Sequence, residues 1–291
     1  MLNVTKISDQ ASGLRKLNRN TVTRVVAVTA GKGGVGKTTV SLNLALALTK
    51  LNHNVMILDG DLGLANIDVM LGLHAKYNLS HVIDNKCELE EIILKGPLGL
   101  KIIPAASGIE KMTQLGAKGC SGIIHAFNSL TEPLDYLIVD TAAGIADDVC
   151  SFSRSAHEVI IVVCDEPTSI TDAYALMKVL SKRYKVQKFH VLANMVREPA
   201  QGRALFSKLY RVTEQFLDVT LDYLGFLSFD EFIHQSIKLQ QGIITAFPNS
   251  LGARELKRIA DKINLWPFNN YSIDNQSFFL EKLIENHYLS V

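Results

Sequence analysis

A chain of 291 residues with 47% apolar side chains is long enough to bury one large core, or two small ones, and too apolar to remain unfolded. The formal charge of +1 excludes a globally basic nucleic-acid binder. Four scattered cysteines, Cys87, Cys120, Cys150 and Cys164, form no C-x-x-C pair, which speaks against a zinc site, an iron–sulfur cluster or a disulfide framework and for a reducing cytoplasm.

Residues 1–20 read as an N-terminal appendage. Lys6, Arg15, Lys16 and Arg19 against Asp9 make this stretch locally basic, and it contains no apolar signal core. Asp9 to Leu17 has the pattern of a short helix capped near Ser8 or Asp9, weakened at Gly13 by roughly 1 kcal/mol. So short a helix is marginal alone, which leaves two readings: a solvated tail, or a segment that folds only against a partner.

From Arg24 onward, apolar runs alternate with helical patterns, the sign of a parallel sheet covered by helices. The expected strands are Arg24 to Thr29, Asn54 to Asp59, Leu100 to Pro104, Tyr136 to Asp140, Glu158 to Cys164, His190 to Asn194 and Asp222 to Phe226. Helices are expected at Lys37 to Leu51, Glu88 to Lys95, Gly119 to Leu130, Asp147 to Ser155, Ser169 to Arg183, Gly202 to Leu217, Asp230 to Gln241 and Asn249 to Asn264. No linker or internal repeat interrupts them. The fold class is therefore α/β, a doubly wound and mostly parallel sheet of about seven or eight strands, in one domain over residues 21–266.

The first strand runs into Thr29-Ala30-Gly31-Lys32-Gly33-Gly34-Val35-Gly36-Lys37-Thr38-Thr39 and then into a helix. Gly31, Gly36, Lys37 and Thr38 satisfy G-x-x-x-x-G-K-[ST]. In that loop backbone N–H groups cradle phosphates, the lysine reaches the β and γ oxygens, and the hydroxyl holds magnesium. Lys32 adds a second cation early in the same turn. Ligands of such folds collect at the carboxyl ends of strands, so the acidic residues there carry weight. Asp140 ends an apolar strand ahead of Ala142-Ala143-Gly144, a turn small enough to pass close to a phosphate. It suits the magnesium-side carboxylate, against the plainer reading of a strand-end cap. Asp59 and Asp61, two residues apart, end the second strand and point the same way in an extended chain. Their mutual repulsion is relieved by a cation or bridging water; a surface turn is the plainer reading.

Trp266-Pro267-Phe268-Asn269-Asn270 breaks the last helix, so 267–291 reads as a linker and an amphipathic segment. Phe278, Phe279, Leu283 and Ile284 share one broad helical face, which either docks on the domain or meets a membrane. Glu281 and Glu285 outnumber Lys282, so the polybasic attraction of many membrane anchors is missing.

Lys32 within the glycine loop, Asp59-Gly60-Asp61-Leu62-Gly63-Leu64-Ala65-Asn66-Ile67-Asp68 and Asp140-Thr141-Ala142-Ala143-Gly144 together resemble the MinD/ParA family of deviant Walker ATPases. Pro104 to Gly108, Cys164 to Ala175 and Val191 to Met195 resemble its flagellar branch, FleN/FlhG, and the likeness runs from about residue 22 to 284. Asp9, Gln10, Gly13, Leu14 and Arg15 resemble the N-terminal helix by which that branch stimulates the FlhF-type GTPase.

The resemblance implies an ATPase dependent on Mg2+ and on an ATP-induced homodimer. Gly31, Lys32, Gly33, Gly34, Val35, Gly36, Lys37, Thr38 and Thr39 would bind ATP, with Asn66 sensing the γ-phosphate and Asn194 reading adenine near Pro167, Phe229 and Asp230. Thr38, Asp59 and Asp140 would hold magnesium; Lys37 would act in its own subunit, Lys32 on the partner's ATP, and Asp61 would orient the attacking water. The implied partners are the FlhF-type GTPase, the flagellar master transcription activator FleQ, switch-ring components and the inner membrane surface, with no direct nucleic acid. The implied location is cytoplasmic, with ATP-dependent attachment to the inner membrane at the pole. A cell-division MinD or a ParA-type partition ATPase is the alternative.

Overall fold

The computed structural model describes residues 23–61, 66–84, 86–104 and 133–267. The N-terminal segment with Asp9 to Arg15, the expected helix at 119–130, Gly63 and the apolar face at 278–284 lie outside the described residues. Among the described residues eight strands form one sheet: β1 Arg24–Ala30, β2 Val55–Gly60, β3 Leu94–Lys95, β4 Lys101–Ile103, β5 Tyr136–Ala143, β6 Glu158–Cys164, β7 Lys188–Val196 and β8 Thr220–Ser228. Their order is β3-β4-β2-β5-β1-β6-β7-β8, and every pairing is parallel except β3 with β4. β1 lies between β5 and β6, and all its residues are buried. That double burial explains why its sequence is a continuous apolar run with no alternation.

Alternate residues nevertheless serve opposite faces. Val26, Val28 and Ala30 of β1, with Ile160 and Val162 of β6, pack under α1 (Lys37–Lys50) and α10 (Leu251–Asn264). Val25 joins Leu137, Val139 and Phe152 on the other face, where Val159, Ile161 and Val163 pack with α6 (Pro167–Tyr184) and α7 (Pro199–Phe216). α1 is buried on several sides, Leu42, Leu44, Ala45, Leu46 and Leu48 all lacking solvent contact, because α10 covers the face that the sheet does not.

The remaining helices of the described residues are α2 Ile67–Met70, α3 Leu79–Ile83, α4 Leu89–Ile92, α5 Asp147–Ser155, α8 Glu231–Lys238 and α9 Ile243–Ala246. α2, α3 and α9 are too short for helical periodicity to reveal. The expected helix from Glu88 to Lys95 is corrected: only α4 is helical, and Leu94–Lys95 turns back as an antiparallel edge strand against β4. Gly96-Pro97-Leu98-Gly99 makes the turn, with Leu98 and Gly99 at φ 60° and 90°. A Gly-Pro pair ends a helix and opens a reverse turn, and this outweighs the helix-forming Glu and Leu before it. α6 and α7 begin earlier than expected because Pro167 and Pro199 occupy first-turn positions, where a missing N–H costs nothing. Among the described residues no helix is long and apolar enough to cross a membrane.

Candidate functional site

The turn between β1 and α1 is shaped by its glycines. Gly34 and Gly36 have φ of 79° and 81°, values that an L side chain adopts only with strain. Gly31 packs so closely on α6 that a Cβ would lie 2.2 Å from the carbonyl of Asp172. Gly36 occupies the cap position of α1 and offers no side-chain acceptor, so the first-turn N–H groups face outward with the positive end of the helix dipole. From beneath, the carbonyl of Val35 accepts the Asn194 amide at 2.7 Å and the Cys164 thiol at 3.7 Å. β6–β7 register sets Cys164 beside Asn194. Burial pushes the Cys164 thiol up to about 11, so it remains a neutral donor.

Below the loop sit the charges. Lys37 is 8% exposed, and its Nζ lies 2.8 Å from Oδ1 of fully buried Asp140. The Ser41 hydroxyl donates to the same oxygen at 2.6 Å, one helical turn after Lys37. The second oxygen of Asp140, Oδ2, is buried with no hydrogen-bond partner. Parallel pairing of β2 with β5 brings Asp59 level with Asp140. Burial pushes Asp59 up to about 6, against the N–H groups of Asn66 and Ile67, and the Asp140 charge adds to the rise. These oxygens fit magnesium: a hard cation that keeps waters and takes one or two carboxylates beside phosphates has an orphaned carboxylate oxygen here, a second carboxylate alongside and the Thr38 hydroxyl.

Asp59 also gathers the following segment. Its Oδ1 accepts the Asp61 N–H at 3.2 Å, and its Oδ2 accepts the N–H groups of Asn66 at 2.9 Å and Ile67 at 3.2 Å. Both ends of the stretch 62–65 are thereby tied to a carboxylate beside Asp140. Asp61 itself is half-buried.

Lys32 is elsewhere. Its Nζ lies 2.6 Å from Glu166 Oε2 and 3.1 Å from Thr168 Oγ1, at the start of α6, and its side chain is 38% exposed. The hydrogen bond to Glu166 raises its pKa, so the ammonium is firmly charged. Asn194 lines an apolar cleft with Met195, Phe229, Asp230, His234 and Ile237. One N–H of its amide is committed to Val35, leaving the second N–H and the oxygen for a ligand. Pro167 does not line that cleft, and Asp230 spends its oxygens on the N–H groups of Phe232 and Gly252. Ser41, Cys164 and Glu166 are site residues that sequence reasoning missed. For Ser41 the signal was present, four residues after Lys37 on one helix face; the other two are brought in by strand order.

A glycine loop feeding an uncapped helix N-terminus, with a buried lysine and aspartate below it at the carboxyl ends of parallel strands, defines a P-loop nucleoside triphosphatase. The family model ParA, described as NUBPL iron-transfer P-loop NTPase, matches residues 21–264. The chain is 50% identical to antiactivator FleN of Pseudomonas aeruginosa over 90% of its own length and 94% of that protein. It is 35% identical to the flagellum site-determining protein YlxH of Helicobacter pylori, over 82% of this chain and 81% of that one. The septum site-determining protein MinD of Pyrococcus horikoshii, solved with Mg-ADP, is 26% identical with a TM-score of 0.65, covering 84% of this chain and 97% of that one. The chain belongs to the MinD/ParA family of P-loop ATPases, on its flagellar FleN/FlhG branch.

Proposed function

We propose that the chain is an ATP-hydrolysing dimerisation switch that regulates flagellar number and placement. The observation that carries this reading is the division of labour between two lysines. Lys37 is buried beside Asp140 under the loop, whereas Lys32 is held outside, at the surface, by Glu166 and Thr168. On this reading the surface lysine on the loop flank serves a second copy docked over the nucleotide. There it acts as a trans cation, a device worth roughly 10³ to 10⁵ in rate in GTPases.

Loop N–H groups and Lys37 bind the phosphate chain of ATP; Thr38, Asp59 and Asp140 would hold Mg2+, and the ion would supply charge neutralisation at the phosphate oxygens. Asp61 orients the attacking water by its position. Asn66, whose N–H is tied to Asp59, reports the γ-phosphate to the 62–65 segment. The Asn194 oxygen accepts from the adenine amine. Dimers bind the FlhF-type GTPase through Asp9, Gln10, Gly13, Leu14 and Arg15, restrain the master activator FleQ, reach switch-ring components, and attach to the inner membrane at the pole through Phe278, Phe279, Leu283 and Ile284. Support comes from the 50% identity with an antiactivator and the 35% identity with a flagellum site-determining protein. Those relatives also favour this reading over a septum-site or partition ATPase.

Light scattering with ATP and Mg2+, run beside phosphate release, tests the switch. Asp61→Ala is expected to accumulate as a nucleotide-bound dimer with little hydrolysis. Lys32→Ala is expected to bind ATP and lose at least about 100-fold in turnover. Full turnover in Lys32→Ala, or rates per chain independent of protein concentration, would sink the dimer-dependent mechanism.

A further inference from the structure

The carbonyl of Val35, one residue before Gly36, is the point at which the phosphate loop is tied to the sheet. Val35 is 4% exposed, and Asn194, at the carboxyl end of β7, is 5% exposed. The Asn194 amide nitrogen donates to the Val35 oxygen at 2.7 Å, and the Cys164 thiol, from the end of β6, reaches the same oxygen at 3.7 Å. A carbonyl only accepts, so this contact fixes which end of the amide faces the loop. A thiol is a weak donor, which leaves the amide to satisfy this buried oxygen.

The end of β7 is bent where it makes that contact. Its register with β8 shifts between Ala193 and Val196, and Met195 has φ 57°, in the left-handed region that residues with a Cβ rarely adopt. Strain of this kind persists where the surrounding structure over-determines it. Gly36 belongs to the same fit: a Cβ there would lie 2.5 Å from the Asn194 amide nitrogen and 3.3 Å from the end of the Met195 side chain. Asn194 also lines the apolar cleft, together with Gly36, Thr39, Val40 and Phe229. One small amide thus stands between the loop and the cleft.

We infer that Asn194 is a positioning residue of the phosphate loop: its amide anchors the Val35 carbonyl, so phosphate binding depends on it whether or not a base fills the cleft. The Val35 carbonyl and the Gly36 N–H belong to one planar trans peptide and point opposite ways. Holding the oxygen on Asn194 therefore aims the Gly36 N–H away from Asn194, and keeps the loop's acceptor out of the space its donors serve. An anion needs that polarity, donors outward and carbonyl anchored. The inference rests on the reading that the loop binds ATP and goes beyond the contact with adenine; the experiment separates the three.

The native chain, Asn194→Ala and Asn194→Leu, the last of which keeps the side-chain volume, are titrated with a non-hydrolysable ATP analogue and with inorganic tripolyphosphate, each with Mg2+, and melted without ligand. Tripolyphosphate carries the charge of the ATP tail and no base. Both variants are expected to bind tripolyphosphate about tenfold or more weakly than the native chain, and the ATP analogue weaker by at least the same factor. Loss confined to the ATP analogue overturns the inference, since Asn194 would then read the base alone. Equal losses for the two ligands uphold the anchored carbonyl and remove the adenine contact. A lower melting temperature with both affinities unchanged also overturns the inference, because the contact would then serve stability alone. A native chain that binds the ATP analogue and no tripolyphosphate overturns it as well, and one that binds neither overturns the ATP reading with it.

Discussion

Asp59 is the residue at which a buried charge and the proposed magnesium and switch roles converge. A carboxyl whose folded pKa is raised from 3.8 to about 6 favours the folded state below about pH 4, and that contribution is lost as pH rises through about 6. Two pH units correspond to about 3 kcal/mol, an upper figure for so buried a group. Asp59→Asn removes the titration, so in nucleotide-free protein the stability of the variant relative to the native chain is expected to rise between about pH 4 and pH 7. Urea unfolding across that range checks it; a stability difference that does not change with pH would refute the assignment. Lys37 presents the opposite case, a cation whose partner Asp140 is wholly buried, so removing either leaves the other charge uncompensated at about 3–5 kcal/mol.

Among elements, the contact between the phosphate loop and α6 sets the loop's shape. An alanine at Gly31 would drive its Cβ into the Asp172 backbone, while at Gly33 nothing lies within 4 Å of the added atom. Gly31→Ala is therefore expected to lose about 1–3 kcal/mol of stability and most nucleotide binding, because backbone cannot yield as a side chain can. Gly33→Ala is expected to stay within about 0.5 kcal/mol of the native fold. Thermal unfolding of both variants beside fluorescent-nucleotide titration distinguishes them, and equal losses would show that α6 does not brace the loop. The start of the same α6 holds Lys32 through Glu166 and Thr168, so one helix braces the loop at Asp172, in its second turn, and restrains the outer lysine at its first.

For the whole molecule, the sheet separates nucleotide chemistry at the carboxyl ends of its strands from the first and last described residues at the amino ends. On the proposed reading, partner contacts act at the amino ends while a second copy closes the nucleotide face. Mixing the protein with the FlhF-type GTPase, with and without residues 1–20, is expected to accelerate GTP hydrolysis only when the segment is present. No acceleration by the full chain would remove the assignment of Asp9 to Arg15.

The order of strands and helices, the phosphate loop and the carboxylates Asp59, Asp61 and Asp140 were legible in the sequence alone, because each is written in local spacing: apolar runs, glycine positions and residues at strand ends. Short helices, and the hairpin at Leu94, escaped the same reading because too few residues express a period. Only the tertiary structure decided that Asp59 stands level with Asp140, that Asn194 spends its amide on Val35 159 residues away, and that Lys32 rests on Glu166. It also brought Arg24 to the carbonyl of Pro267, 243 residues along the chain. Such meetings depend on the order β3-β4-β2-β5-β1-β6-β7-β8, which is set by packing of whole faces against one another and leaves no mark in the period of any one segment.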